Sequence, residues 1–264
     1  MSRVSVIVLA VVICMGCTAA FAEAIPSTEG WMLTPIIDGN NVSLGLDLGD
    51  VSAFAGYQGT LTKTWGDPTL SDPSKYISLG DSGAKLRSFT VSFTGDPILV
   101  YHANVQAGNT VTNFTLPVAS NVMPVLPNLY PAKARATAGI TLTDFVDGDS
   151  ADGVIAMGGY TGGTFYRASY NVGTDPKDFA YLIAGPKTVD PYISQDFSDN
   201  SGVWQTLPDV VKDMETSFKF SLTPHDYASM TSSFFVEPVP EPSSVLALMT
   251  GLAGVAGFLR RRRS

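Results

Sequence analysis

Between residues 25 and 236 the chain is written in short runs that alternate apolar and polar side chains, broken by glycine, proline, asparagine and aspartate. Residues 41–48 alternate in this way. So do residues 86–93 (Leu-Arg-Ser-Phe-Thr-Val-Ser-Phe), before Thr94-Gly95-Asp96-Pro97 interrupts them. Residues 98–105 read as a further strand ended by Ala107-Gly108-Asn109. Residues 110–118 follow and give way to a proline-rich loop at 124–131. Residues 134–145 form a threonine-rich run, and residues 154–157 and 164–171 flank Gly158-Gly159 and Gly162-Gly163. A period of two sends successive side chains to opposite faces, so each run has one face to bury.

Toward the end of this region, residues 217–222 and 229–236 are separated by Thr223-Pro224-His225-Asp226-Tyr227, which predicts a hairpin. Residues 208–218 offer the one helical alternative. Asp209 can start a turn there and Val210, Val211 and Met214 share a helical face, although the same stretch reads equally as an edge strand. Many short runs without a sustained helical period, and without a repeat, predict an all-β ectodomain: a β-sandwich or jelly roll.

The two ends depart from this pattern. Met1-Ser2-Arg3 is a short basic start, residues 4–17 are apolar, and Ala20 and Ala22 supply the small residues of an A-x-A exit before Glu23. These three parts predict a secretory signal peptide over residues 1–22, with an alternative cut after residue 24. The apolar run is shorter than the ~20 residues that span a bilayer. Cys14 and Cys17 both lie inside it. The mature chain is then free of cysteine, which removes disulfides, thiolate metal sites and cysteine nucleophiles. Its stability must come from core burial, which ~210 residues can supply.

At the other end, Val239-Pro240-Glu241-Pro242-Ser243 precedes an apolar stretch at 245–259, then Arg260, Arg261, Arg262, Arg263 and Ser264. The prolines fix φ and remove backbone donors, so the peptide around Glu241 stays extended and accessible. With the serines before it the apolar stretch reaches about 17 residues, near the lower limit for a span. The four arginines act as a stop-transfer cluster that stays cytoplasmic and puts the ectodomain across the membrane.

This ordered arrangement resembles the PEP-CTERM sorting signal, through Val239, Pro240, Glu241 and Pro242, the apolar helix containing Gly251, Gly254 and Gly257, and the terminal arginines. The resemblance implies an exosortase, a membrane-embedded transpeptidase, as processing partner. It also implies a membrane-anchored precursor that ends at the cell surface or outside the cell, often alongside exopolysaccharide. The same logic governs other signals whose hydrophobic tail is removed. The expected organisation is a signal peptide (1–22), a β-sandwich ectodomain (23–236) and a sorting signal (237–264). The sorting signal carries a single transmembrane helix at about 244–259 and a basic tail at 260–264. Glu237 and Pro238 read as a very short stalk.

Charge refines the picture. The net charge is −8, and five of the basic residues, Arg3 and Arg260 to Arg263, belong to the two end segments. The ectodomain is therefore more acidic than the whole, which disfavours nucleic acid and anionic lipid as partners. Within it, Asp144, Asp147, Asp149 and Asp152 are the carboxylates that a calcium ion would take. Their spacing fits an EF-hand loop only in part, and no glutamate closes the loop. The favoured reading is a solvated hairpin turn between strands at Ile140 and Val154.

Gly80-Asp81-Ser82-Gly83 invites a protease comparison. Both histidines, His102 and His225, lie downstream of Ser82, and Ala84 replaces the second glycine of a nucleophile elbow. The stretch reads as a turn. The two histidines lack the neighbouring ligands of a zinc site. Trp31, Trp65 and Trp204 read as packing residues before a sugar platform. No catalytic residue is assigned and no resident cofactor is expected. The functional reading is a non-catalytic surface or matrix protein; a secreted carbohydrate-binding module and a sandwich-fold hydrolase are the alternatives.

Overall fold

The computed structural model describes residues 32–33, 35–38, 40–41, 60–94, 98–120, 131–144, 153–172 and 175–239. The expected signal peptide and transmembrane helix, all but Asn41 of the strand expected at 41–48, and all but Pro131 of the loop expected at 124–131 lie outside the described residues. Those residues form seventeen strands and no α-helix. Strands β1 (Met32–Leu33), β2 (Ile36–Ile37) and β3 (Asn40–Asn41) are short. They are followed by β4 (Thr60–Gly66), β5 (Ile77–Ser78), β6 (Lys85–Thr94), β7 (Ile98–Gln106), β8 (Thr112–Ser120) and β9 (Ala132–Thr143). Then come β10 (Val154–Gly158), β11 (Thr164–Tyr170), β12 (Lys177–Ala184), β13 (Lys187–Val189), β14 (Ser194–Asn200), β15 (Gln205–Leu207), β16 (Met214–Leu222) and β17 (Tyr227–Pro238).

They assemble into two antiparallel sheets, as the alternation predicts. One has nine strands with the central order β12-β11-β16-β8-β2-β3; the other has eight with the order β14-β9-β17-β7-β6-β4. Strand β9 shows how the sequence dictates this. Ala132, Ala134, Ala136, Ala138, Ile140 and Leu142 are buried, while the lysine, arginine and threonines between them face out. Burying one face of such a strand is what closes a sandwich.

Aromatic rings bridge the layers. Trp65 stacks on Phe89 at 5.4 Å and Phe89 meets Tyr101 at 5.4 Å. Tyr101 reaches across to Phe218 in the facing sheet at 5.7 Å, and Phe218 meets Tyr166 at 5.1 Å. A second bridge joins Phe234 to Phe179 at 5.4 Å. The outward face of the eight-stranded sheet carries hydroxyl rungs instead: Thr60 to Thr94, Thr62 to Ser92 and Thr64 to Thr90 are hydrogen-bonded at 3.1, 2.7 and 3.0 Å.

Three local expectations give way. Residues 217–222 and 229–236 do form strands, yet β16 lies in one sheet and β17 in the other. Residues 223–226 are therefore an arch across the sandwich, not a hairpin. Thr223 Oγ1 donates to Asp226 Oδ2 (2.5 Å), and Ala107 N donates to the Asp226 carbonyl (2.9 Å), which holds the arch to the turn after β7. The helix at 208–218 is absent. Residues 208–213 are irregular, and from Met214 the chain enters β16, which is paired on both sides at the sheet centre rather than at an edge. Strands β9 and β10 likewise occupy opposite sheets, so the strands at Ile140 and Val154 are not partners in a hairpin. By contrast, the runs on either side of the break at 94–97 are both strands, and β6 and β7 pair as an antiparallel hairpin with Thr94 opposite Ile98.

Strands β10 and β11 run end to end along one side of β16, with Gly158 opposite Phe220 and Tyr166 opposite Phe218. The residues between them loop outward. The loop folds back so tightly that a Cβ on Gly158 would collide with the Gly163 carbonyl oxygen. Gly158→Ala is therefore expected to cost about 1–3 kcal/mol. Gly139→Ala, whose added Cβ meets only the Phe197 carbonyl oxygen at 3.8 Å, should be tolerated. Urea unfolding of the two variants measures the difference.

Candidate functional site

The last strand carries the chain out of the fold. Phe235, Val236, Glu237 and Pro238 pair with Arg135, Ala134, Lys133 and Ala132 in turn, so Glu237 and Pro238 extend the sheet rather than forming a stalk. The Glu237 carboxylate meets Lys133 Nζ at 3.2 Å. Val239, the first residue of the sorting motif, donates its N–H to the Pro131 carbonyl at 2.8 Å. Pro238 is exposed and Val239 half-buried, so this end lies at the rim of the sandwich and not in its core. Pro240, Glu241, Pro242 and the stop-transfer residues Arg260, Arg261, Arg262 and Arg263 lie outside the described residues.

A cluster of charged and aromatic side chains sits elsewhere, on the outward face of the nine-stranded sheet. Residues 159–163 lay Tyr160 over that face, where its hydroxyl donates to Ser217 Oγ at 2.5 Å. Arg167 projects from β11 and pairs with the buried Glu215 of β16 through Nη2 to Oε1 at 2.6 Å; Asp178 lies 3.8 Å from Nη1. The guanidinium sits 5.2 Å from the Tyr160 ring centre, within cation–π range. Tyr181 donates to Asp178 Oδ2 at 2.6 Å, and its ring lies 6.2 Å from that of Tyr160.

Burial works against the Arg167 charge, but the hydrogen bond to Glu215 and its neighbours outweigh it and the net shift is upward. Burial pushes the Tyr160 hydroxyl up to about 12, against the opposing bond to Ser217. The Tyr160 hydroxyl, the Arg167 Nη2 and the Tyr181 hydroxyl each have a partner, while Arg167 Nε is buried without one among the described residues. Sequence reading missed this cluster, because Arg167 and Glu215 are far apart in the chain.

The residues singled out from sequence are committed to structure. Asp144 Oδ2 accepts the Tyr192 N–H at 2.7 Å, fastening the start of β14. Asp147, Asp149 and Asp152 lie outside the described residues, and no group of three metal-ligating side chains occurs among the described ones. Ser82 lies in the turn between β5 and β6, closed by Leu79 N to the Ala84 carbonyl at 2.8 Å. His102 belongs to the outward face of β7, between Thr231 (3.3 Å) and Asn104 (3.1 Å); burial lowers its pKa. His225 lies in the arch. Trp65 packs on the core. Trp204 meets Phe235 edge-on at 6.2 Å, with Lys133 Nζ 4.9 Å above its ring. Trp31 lies outside the described residues.

With the exit of β17 established, comparison with known families becomes decisive for the segment that follows it. A profile for the PEP-CTERM protein-sorting motif matches residues 238–263. The chain carries a PEP-CTERM sorting motif. The match begins at the last residue of β17, so the motif follows the sandwich without a linker. PEP-CTERM motifs mark exported proteins that an exosortase processes. No curated protein matches the sequence. Among solved structures, the enzymatically active domain of tailspike protein 4 from bacteriophage CBA120 aligns at 10% identity with a TM-score of 0.19. That alignment covers 83% of this chain and 20% of that one, a fifth of its length.

The buried Tyr101 and Tyr166 and the half-buried Tyr160 give a pH test. Burial raises Tyr160 to about 12 and moves Tyr101 and Tyr166 well above the usual value of 10. A raised folded-state value means the unfolded chain releases protons first. Stability is therefore full below pH 10 and is lost as pH rises toward 12 and beyond. Neither the Tyr101 nor the Tyr166 hydroxyl makes a hydrogen bond among the described residues. Tyr166→Phe should leave stability at neutral pH unchanged or higher and should move the alkaline unfolding midpoint upward, as followed by circular dichroism. An unmoved midpoint would contradict this assignment.

Proposed function

We propose that this is a non-catalytic protein of the cell surface or extracellular matrix. It would be delivered as an inner-membrane-anchored precursor, processed by an exosortase within Val239-Pro240-Glu241-Pro242, and held outside the cell in association with exopolysaccharide. The observation that carries this reading is the continuity of β17 with the sorting motif: the folded body ends where the motif begins. Supporting it, Asp144, Ser82 and His102 each serve a turn or a hydroxyl ladder rather than converging on a reacting centre. A secreted hydrolase would need such convergence.

A carbohydrate-binding role is the second reading, favoured by Tyr160 and Tyr181 on one sheet face beside Arg167 and Asp178. Aromatic faces stack on sugar rings, and the paired charges would bond hydroxyls.

Replacing Pro240, Glu241 and Pro242 together by alanine should leave the protein in the membrane fraction while the parent chain is released or moved to the surface. Release of the variant at the parent level would reject exosortase processing. For the second reading, Tyr181→Ala should reduce retention on purified exopolysaccharide several-fold, since loss of one stacking ring costs about 1 kcal/mol or more. Equal retention would remove sugar binding from this face.

A further inference from the structure

The rim from which the sorting motif emerges carries a patch that the processing reaction does not explain. Val203 is 82% exposed, the largest value among the exposed large apolar residues described. Next to it, Trp204 packs edge-on against Phe235 of β17 at 6.2 Å. Phe235 is paired on one side with Arg135 of β9 and on the other with Ile98 of β7. Arg135 is exposed and has no acidic partner among the described residues, while Lys133 lies over the Trp204 ring at 4.9 Å. Further along the same face, away from the rim, the outward residues are Ser233, Thr231 and Thr137. The apolar and aromatic side chains are thus concentrated at the exit end, where Lys133 is paired with Glu237 and Arg135 supplies the cation without an acidic partner among the described residues.

The chain itself restricts what can lie opposite this patch. The last described hydrogen bond is that of Val239, and the apolar stretch begins at Val245. Six residue steps reach at most ~20 Å even when fully extended. While the tail is in the membrane, the exit rim cannot move farther than that from the lipid headgroups. Tryptophan with an apolar neighbour and arginine or lysine is the composition favoured at a membrane–water interface, where cations also meet anionic lipid.

We infer that Val203, Trp204, Phe235 and Arg135 form a lipid-facing footprint, by which the tethered sandwich seats on the anionic headgroups of the membrane holding its unprocessed tail. The inference rests on the sorting reading above. It holds despite the acidity of the ectodomain as a whole, because the tether supplies the local concentration that a free acidic protein would lack. Seating would fix the orientation in which the motif is offered to a membrane-embedded enzyme, and removal of the tail would release it.

The test uses the full chain with Trp31→Phe and Trp65→Phe, leaving Trp204 as its only tryptophan. The protein is reconstituted in vesicles of phosphatidylethanolamine and phosphatidylglycerol that include a lipid bearing a nitroxide at its headgroup. Flotation with the vesicles reports tail insertion, and Trp204 quenching reports seating. The expected result is flotation with about two-fold quenching of Trp204, the effect of an indole at headgroup depth. The double variant Val203→Asp/Arg135→Glu, at two exposed positions, should still float but lose the quenching. A control chain that also carries Trp204→Phe and Tyr192→Trp places its tryptophan beside Asp144, at the opposite end of the sheet, and should stay unquenched. Flotation without Trp204 quenching, quenching equal at position 192, or quenching unchanged in the double variant each overturns the footprint and leaves the sorting reading intact. Failure to float overturns both.

Discussion

Strand β17 is hydrogen-bonded along both edges, to β7 from Phe235 back to Tyr227 and to β9 from Tyr227 through Pro238. The rest of the sandwich depends on that two-sided pairing. Without β17 the eight-stranded sheet divides into β4-β6-β7 and β9-β14, each with a bare edge. Strand β16 has the same position in the facing sheet, between β11 and β8. The arch at 223–226 thus sends one continuous piece of chain through the middle of both layers. Phe218 and Phe234, one on each strand, are fully buried and join the rings that bridge the sheets. The fold cannot close until residue 238 is available. Closure across the membrane, after translocation, is compatible with that order of events, because these contacts join residues distant in sequence and are costly to form early.

The same constraint organises the surface. Since β17 leaves the sheet directly into the PEP-CTERM motif, the protein's address is fixed to its most firmly held strand rather than to a free linker. Force applied through the motif would load the pairings of β17 in shear along its whole length, the direction in which they resist together. Away from the exit rim, the outward faces carry paired polar side chains. One bears threonine and serine rungs that satisfy each other across strands, and the other bears the Arg167–Glu215 pair under Tyr160. An ion pair of this kind, with Glu215 largely buried and Arg167 partly exposed, contributes more to local definition than to overall stability.

Much of the architecture was legible in the alternation itself. The 2-residue period of β9, with alanines in and lysine, arginine and threonine out, specifies a strand with one buried face, and Thr94-Gly95-Asp96-Pro97 marks the boundary between β6 and β7. What could not be read was which sheet a strand joins. Thr223-Pro224-His225-Asp226 suits a tight hairpin as well as an arch, and the choice is made by distant pairings to β8 and β9 that leave no local mark. The helical reading of 208–218 failed for a related reason. Val211 and Met214 are both buried, but one precedes β16 and the other begins it, so a spacing of three is accidental. The Tyr160 cluster was hidden because Arg167 and Glu215 meet only through the register that sets Arg167 opposite Ser217. The sorting motif was legible because it functions as a linear label, read by another protein rather than assembled by folding.

The claim on which this account stands is that the segment after β17 is such a label and is removed after use. Intact mass of the protein recovered from outside the cell tests it most directly. The account predicts a chain that ends within or just before residues 239–243, without the apolar stretch and Arg260 to Arg263. Recovery of external protein that still carries those arginines would contradict it.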